Sequence, residues 1–138
     1  MVPKYRGKTI KGLLVVGYVS VVTDKRAGVE PGTYISNSVG FPFAYEVDPK
    51  TVGQSTGLKD KNGVEIFEGD IVSVRNHPFQ KTEKSGAGIE IDGDYAISWN
   101  EGDLTWCAGN LLLARLKPYV TVAGNIYENP NLLEQANA

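Results

Sequence analysis

Gly53-Gln54-Ser55-Thr56-Gly57-Leu58-Lys59-Asp60-Lys61-Asn62-Gly63-Val64-Glu65-Ile66-Phe67-Glu68-Gly69-Asp70-Ile71-Val72-Ser73-Val74 alternates short apolar runs with turn residues. Asn62-Gly63 is the pair that tolerates positive φ at both central positions of a tight reversal. Leu58 and Val64 flank it, so the segment reads as a small hairpin. Glu68-Gly69-Asp70 is a second turn and launches a strand from Ile71 to Arg75. Gly57, Gly63 and Gly69 recur every six residues, each where a tight turn needs a glycine. Asp60 and Asn62 can bond their own backbone in such turns. Leu58, Ile66, Phe67, Ile71 and Val72 are the apolar anchors.

Downstream, Tyr95, Ile97 and Trp99 face one way while Asp94, Ala96 and Ser98 face the other. Asn100-Glu101-Gly102 turns the chain, and Leu104 and Trp106 return on one face, as in a half-buried antiparallel hairpin. Leu111–Lys117 is open between a helix capped by Asn110 and one more short strand. Tyr119–Gly124 reads as a strand. Asn129-Pro130 supplies a capping residue and a proline for the first helical position of a short final helix. Its end, Gln135–Ala138, is expected to fray.

Upstream, Leu13–Val22 is rich in β-branched and aromatic residues. Leu13, Val15, Val19 and Val21 lie on one face, with Leu14, Val16, Tyr18 and Val22 on the other. Apolar residues on both faces imply a strand covered on both sides, by its own domain or by a partner chain. Asp24–Gly32 reads as a loop, Thr33–Ser36 as a strand, Asn37–Pro42 as a turn and Phe43–Val47 as a strand. Asn76–Gly88 is polar and glycine-bearing, so a flexible loop is expected.

About eight short strands joined by Gly, Pro and Asn turns describe a mainly β protein, a small bent barrel or sandwich, with one or two short helices. Asp70–Tyr127 could form an SH3-like barrel. The expectation is a single domain over 1–138, with residues 1–52 as an N-terminal β segment packing on a barrel-like region, 53–134. A chain of 138 residues with 16 Gly and 7 Pro fits that and argues against a helical bundle. Fourteen bases against sixteen acids leave a net charge of −2, so bulk charge does not drive nucleic-acid binding. One Cys and one His rule out an internal disulfide and argue against a zinc site built from those ligands. Leu13–Val22 is too short to span a bilayer and no cleavage site follows it. A cytosolic, reduced setting is expected.

The run Gln54–Val72 resembles the signature of the YopX family of phage and prophage proteins. Gly124-Asn125-Ile126-Tyr127-Glu128-Asn129-Pro130-Asn131-Leu132-Leu133 resembles the family's C-terminal motif. Tyr5-Arg6-Gly7-Lys8 and Val47–Gly53 also fit its layout. The resemblance implies a small, mainly β protein encoded by temperate phages or integrated elements in bacteria, and so a cytoplasmic setting in a bacterial host cell. It carries over no catalytic residue.

Glu65, Glu68, Asp70, Glu90, Asp92 and Asp94 are the acids that could gather around a divalent cation, as a metal-dependent hydrolase requires. Acids at turns more often bond backbone amides or solvent. His77 stands in a polar loop, where a lone histidine is most often exposed. Cys107 beside Trp106 reads as a small buried hydrophobe. The basic candidates for an interaction surface are Lys59 and Lys61 on the hairpin, Arg75, and Lys4, Arg6 and Lys8 at the N-terminus; Lys11, Lys81 and Lys84 lie near them. With Trp99 and Trp106 as stacking faces, such residues could hold a nucleic acid, although alternating aromatics on a hairpin are usually core. The first reading is a non-enzymatic protein-interaction or regulatory module, without cofactor, metal or membrane, that binds a protein partner and forms a homo-oligomer. The alternative is a nucleic-acid-binding small barrel.

Overall fold

The computed structural model describes residues 3–37, 44–78 and 91–136. The expected turn at Asn37–Pro42 lies outside them from residue 38. So do Phe43, residues 79–88 of the expected loop with Lys81 and Lys84, and Glu90. Among the described residues, eleven strands form two antiparallel sheets, of six and five strands. The protein is mainly β. Its contacts divide into two compact units, Met1–Ser55 and Thr56–Ala138.

The first unit holds β1 (Tyr5–Lys8), β2 (Leu14–Val22), β3 (Gly32–Ser36), β4 (Ala44–Val47) and the start of β5 (Gly53–Lys59), in the order β4-β3-β2-β1-β5. After β4 the chain turns through a 3-10 segment, Pro49–Thr51, capped by Asp48, whose carboxylate accepts from the Lys50 amide. That turn returns the chain to β1. The Asp48 amide donates to the Lys8 carbonyl at 2.9 Å, the Lys8 amide to Thr51 Oγ1 at 2.9 Å, and the Ser55 amide to the Lys4 carbonyl at 2.7 Å. Val15, Ile35 and Val47 form the core, flanked by Tyr5, Val19, Tyr45 and Val52. Two glycines make this packing fit. A Cβ at Gly7 would stand 3.0 Å from both Ile35 and Val47, and one at Gly17 would stand 2.1 Å from the Ser36 carbonyl oxygen.

The second unit contains the rest of β5, β6 (Glu65–Phe67), β7 (Asp70–Val74), β8 (Gly93–Asn100), β9 (Thr105–Ala108), β10 (Leu111–Leu112) and β11 (Val120–Asn125). Its large sheet has the order β10-β9-β8-β7-β11. No pairing returns β11 to β10, so no closed barrel is found among the described residues. Ile66, Val72, Val74, Ile97, Ala108, Leu113, Leu116 and Val120 are buried together. The ambiguous stretch divides. Leu111 and Leu112 pair with Ala108 and Cys107, and then α1 (Leu113–Leu116) makes a single turn that buries both its leucines. Asn110 caps nothing there, because the N-cap position falls on Leu112. The final helix is α2 (Asn131–Ala136).

Gly57, Gly63 and Gly69 all have positive φ, at 78, 84 and 88 degrees. The hairpin between β5 and β6 differs from the expected reversal, because Asn62 is not left-handed. The Gly63 amide donates to the Asp60 carbonyl at 3.0 Å, and the Asp60 amide to the Val64 carbonyl at 2.8 Å. This is a three-residue loop with the glycine in the left-handed place. Asp60 selects it, since its Oδ1 accepts from the Asn62 and Val64 amides at 2.8 and 2.9 Å.

Candidate interaction surface

The outer face of β2 follows from alternation. Register pairs Arg6 with Val16, Lys8 with Leu14, Tyr18 with Ser36 and Ser20 with Tyr34. Val15 and Val19 on the opposite face enter the core. The outer residues do not: Val16 is 36% and Tyr18 48% exposed. Val21, on the core side but near the strand end, is 69% exposed. The sequence implied cover on both faces of this strand; the described residues cover one.

The six basic candidates fall into two groups. Arg6 and Lys8 alternate along β1 in the first unit, on the outer face with Val16, and Lys4 directly precedes the strand. Lys59, Lys61 and Arg75 belong to the second. Lys59 and Lys61 are exposed at the β5–β6 hairpin. Arg75 is engaged in holding the fold. Its guanidinium donates to the Val74 and Gly93 carbonyls and pairs with Asp94 at 3.2 Å.

Asp70, Asp92 and Asp94 are engaged locally as well. Asp92 accepts from the Asn76 and His77 amides at 2.9 and 3.1 Å, which with Arg75 joins the end of β7 to the start of β8. Asp70 is buried and accepts from the Phe67 amide at 2.8 Å. Among the described residues, no three His, Cys, Asp or Glu side chains gather as a metal would need. His77 differs from expectation. It is buried and its ring lies 4.8 Å from that of Tyr119, because the Asp92 contacts draw the loop inward. Cys107 is buried, as its strand position suggests. Trp106 packs on the core and meets Trp99 edge-on at 5.1 Å, leaving Trp99 39% exposed.

Two polar clusters were not legible as sites. Asp60 Oδ2 accepts from the Val122 amide, 62 residues away, at 2.9 Å. Burial alone would raise the Asp60 pKa. The amides of Val122, Val64 and Asn62, with Lys61 nearby, outweigh it and hold the carboxyl below its ordinary value. The Tyr34 hydroxyl is shifted up by reduced hydration, then by Glu46 and Glu30. Near the C-terminus, Asn125 Oδ1 accepts from the Tyr127 and Glu128 amides, while its Nδ2 donates to Glu128 Oε1. Asn129 Oδ1 accepts from the Asn125 amide. The Ile126 amide reaches the Gly69 carbonyl at 2.8 Å, and the Tyr127 ring covers Gly69 so closely that a Cβ would stand 3.0 Å away. The Gln54–Val72 run and the Gly124–Leu133 motif therefore interlock in space.

The model of the YopX protein family matches residues 16–134. The chain belongs to the YopX family. The matched span includes both interlocking motifs and begins after β1. Among solved structures, this YopX-family chain is similar to protein EF1440 from Enterococcus faecalis, at 27% identity and a TM-score of 0.55, over 96% of this chain and 99% of that one. A comparison with curated proteins gives no match. Among the described residues, no helix is long and apolar enough to cross a membrane.

Proposed function

We propose that this YopX-family chain is a protein-binding, regulatory module of phage or prophage origin, acting in the bacterial cytoplasm without catalysis of its own. The outer face of β2 carries this reading. A strand with apolar side chains on both faces buries one and presents Val16 and Tyr18 on the other to solvent, while Leu13 and Val21, of the core-side face, are exposed at its two ends. Exposed apolar and aromatic side chains on a sheet face are what a partner protein covers. The acids and Arg75 point the same way, since their hydrogen bonds serve turns and strand ends. The test is affinity capture from a bacterial lysate by the wild-type chain and by Val16→Asp and Tyr18→Asp. A specific protein retained by the wild type and lost with both variants is the expected result. No retained protein, together with salt-sensitive binding of DNA or RNA, would overturn the reading in favour of a nucleic-acid-binding domain.

A further inference from the structure

Two hairpin tips carry exposed apolar residues that their own units do not use. In the first unit, Thr9-Ile10-Lys11-Gly12 joins β1 to β2. The Gly12 amide donates to the Thr9 carbonyl at 2.9 Å, the Leu13 amide to Thr9 Oγ1 at 3.1 Å, and Gly12 has a φ of 87 degrees. This firm turn presents Ile10 at 100% exposure, with Leu13 at 53%. In the second unit, Asn100-Glu101-Gly102-Asp103-Leu104 joins β8 to β9. The Asp103 amide donates to Asn100 Oδ1 at 2.9 Å. Leu104 is 70% exposed and has a φ of 52 degrees. A left-handed backbone is costly for a bulky side chain, and glycine or asparagine would hold the place without strain. Leu104 is therefore exposed at the tip of the hairpin that also carries the Trp99–Trp106 pair.

The two tips are opposite in charge. Residues 3–23 contain Lys4, Arg6, Lys8 and Lys11 and no acid. Residues 95–114 contain Glu101 and Asp103, both at the tip, and no Lys or Arg. We infer that the β1–β2 tip of one copy docks on the β8–β9 tip of a second copy. Ile10 and Leu13 pack against Leu104 and Trp99, and Lys8 and Lys11 lie against Glu101 and Asp103. The inference rests on reading the chain as an interaction module and names its partner as another copy of itself. Such a contact joins unlike surfaces, so it is heterologous and can close into a ring or continue as a chain. Two hairpin tips bury less than the about 1,200 Å² of a standard stable interface, so association is weak and salt-sensitive.

Sedimentation velocity with light scattering on the purified full chain tests this, from about 10 µM to about 1 mM, at low and high salt. The wild-type mass is expected to rise with concentration at low salt and to fall back in high salt. Ile10→Asp and Leu104→Gly are expected to stay monomeric. Leu104→Gly should also raise the melting temperature by a few degrees, so its loss of association is not misfolding. A chain with Lys8→Glu and Lys11→Glu, mixed with one carrying Glu101→Lys and Asp103→Lys, should recover the association that each loses alone. A wild type monomeric throughout, or association unchanged in Ile10→Asp, would overturn the inference. Lysate capture sensitive to Val16→Asp alongside a monomeric wild type would leave the interaction-module reading standing without self-docking.

Discussion

Asp60 carries more of the fold than its place in a surface hairpin suggests. One carboxylate serves three amides, two in its own turn and one on β11. Because its folded pKa is depressed, the stability it contributes is fully present above the ordinary carboxylate value of about 3.9 and is lost as pH falls through the lower folded value. Asp60→Asn keeps the shape but turns an amide group toward a donor. It is expected to cost about 2 kcal/mol near neutrality and to flatten the acid limb of stability, read by urea denaturation across pH. Two glycines offer a matched comparison. Gly63→Ala meets open space and is expected to cost about 1 kcal/mol, from backbone conformation alone. Gly69→Ala meets the same conformational penalty and the Tyr127 ring, so about 2–3 kcal/mol is expected. Equal losses in denaturant melts would show that the Tyr127 contact contributes nothing. The turn glycines were legible in sequence because positive φ has few alternatives. The turn type was not, because a side chain three residues before Gly63 decides it.

At the scale of elements, β2 shows where pattern reading stops. Period-two alternation separates Val15 and Val19 from Val16 and Tyr18, but it contains nothing about what lies above either face. The two sets should respond differently in chemical denaturation. Val15→Ala is expected to cost about 2 kcal/mol, whereas Tyr18→Ser should stay within about 0.5 kcal/mol. A large loss at Tyr18 would mean that its face is covered within the chain. Leu111–Lys117 was ambiguous for a physical reason. It holds two strand residues and one helical turn, each shorter than the period that would announce it. The basic candidates were legible as residues and not as a surface, since spacing along β1 and around the β5–β6 hairpin does not reveal that Arg75 closes onto Asp94.

At the scale of the molecule, the glycine-rich composition and short apolar runs marked a mainly β chain, while the pairings that close each unit turn on contacts no local pattern displays. Among the described residues, the pairings that build the first unit lie within residues up to Ser55; most join consecutive strands, and β5 completes the unit by pairing back onto β1. The second unit is closed by its last segment: Val120–Asn125 completes the sheet on β7, Val122 reaches Asp60, and Ile126 reaches Gly69. A chain ending at Tyr119 is therefore expected to keep proteolytic and hydrogen-exchange protection in the first unit and to lose it across the second. Protection retained on β7 and β8 would contradict this. The same feature orders events during synthesis. The first unit can settle while translation continues, but the edge of β7 that β11 will pair waits, with its ladder groups uncovered, until some fifty further residues have emerged. That wait is the interval in which the nascent protein is most open to aggregation and most dependent on chaperones.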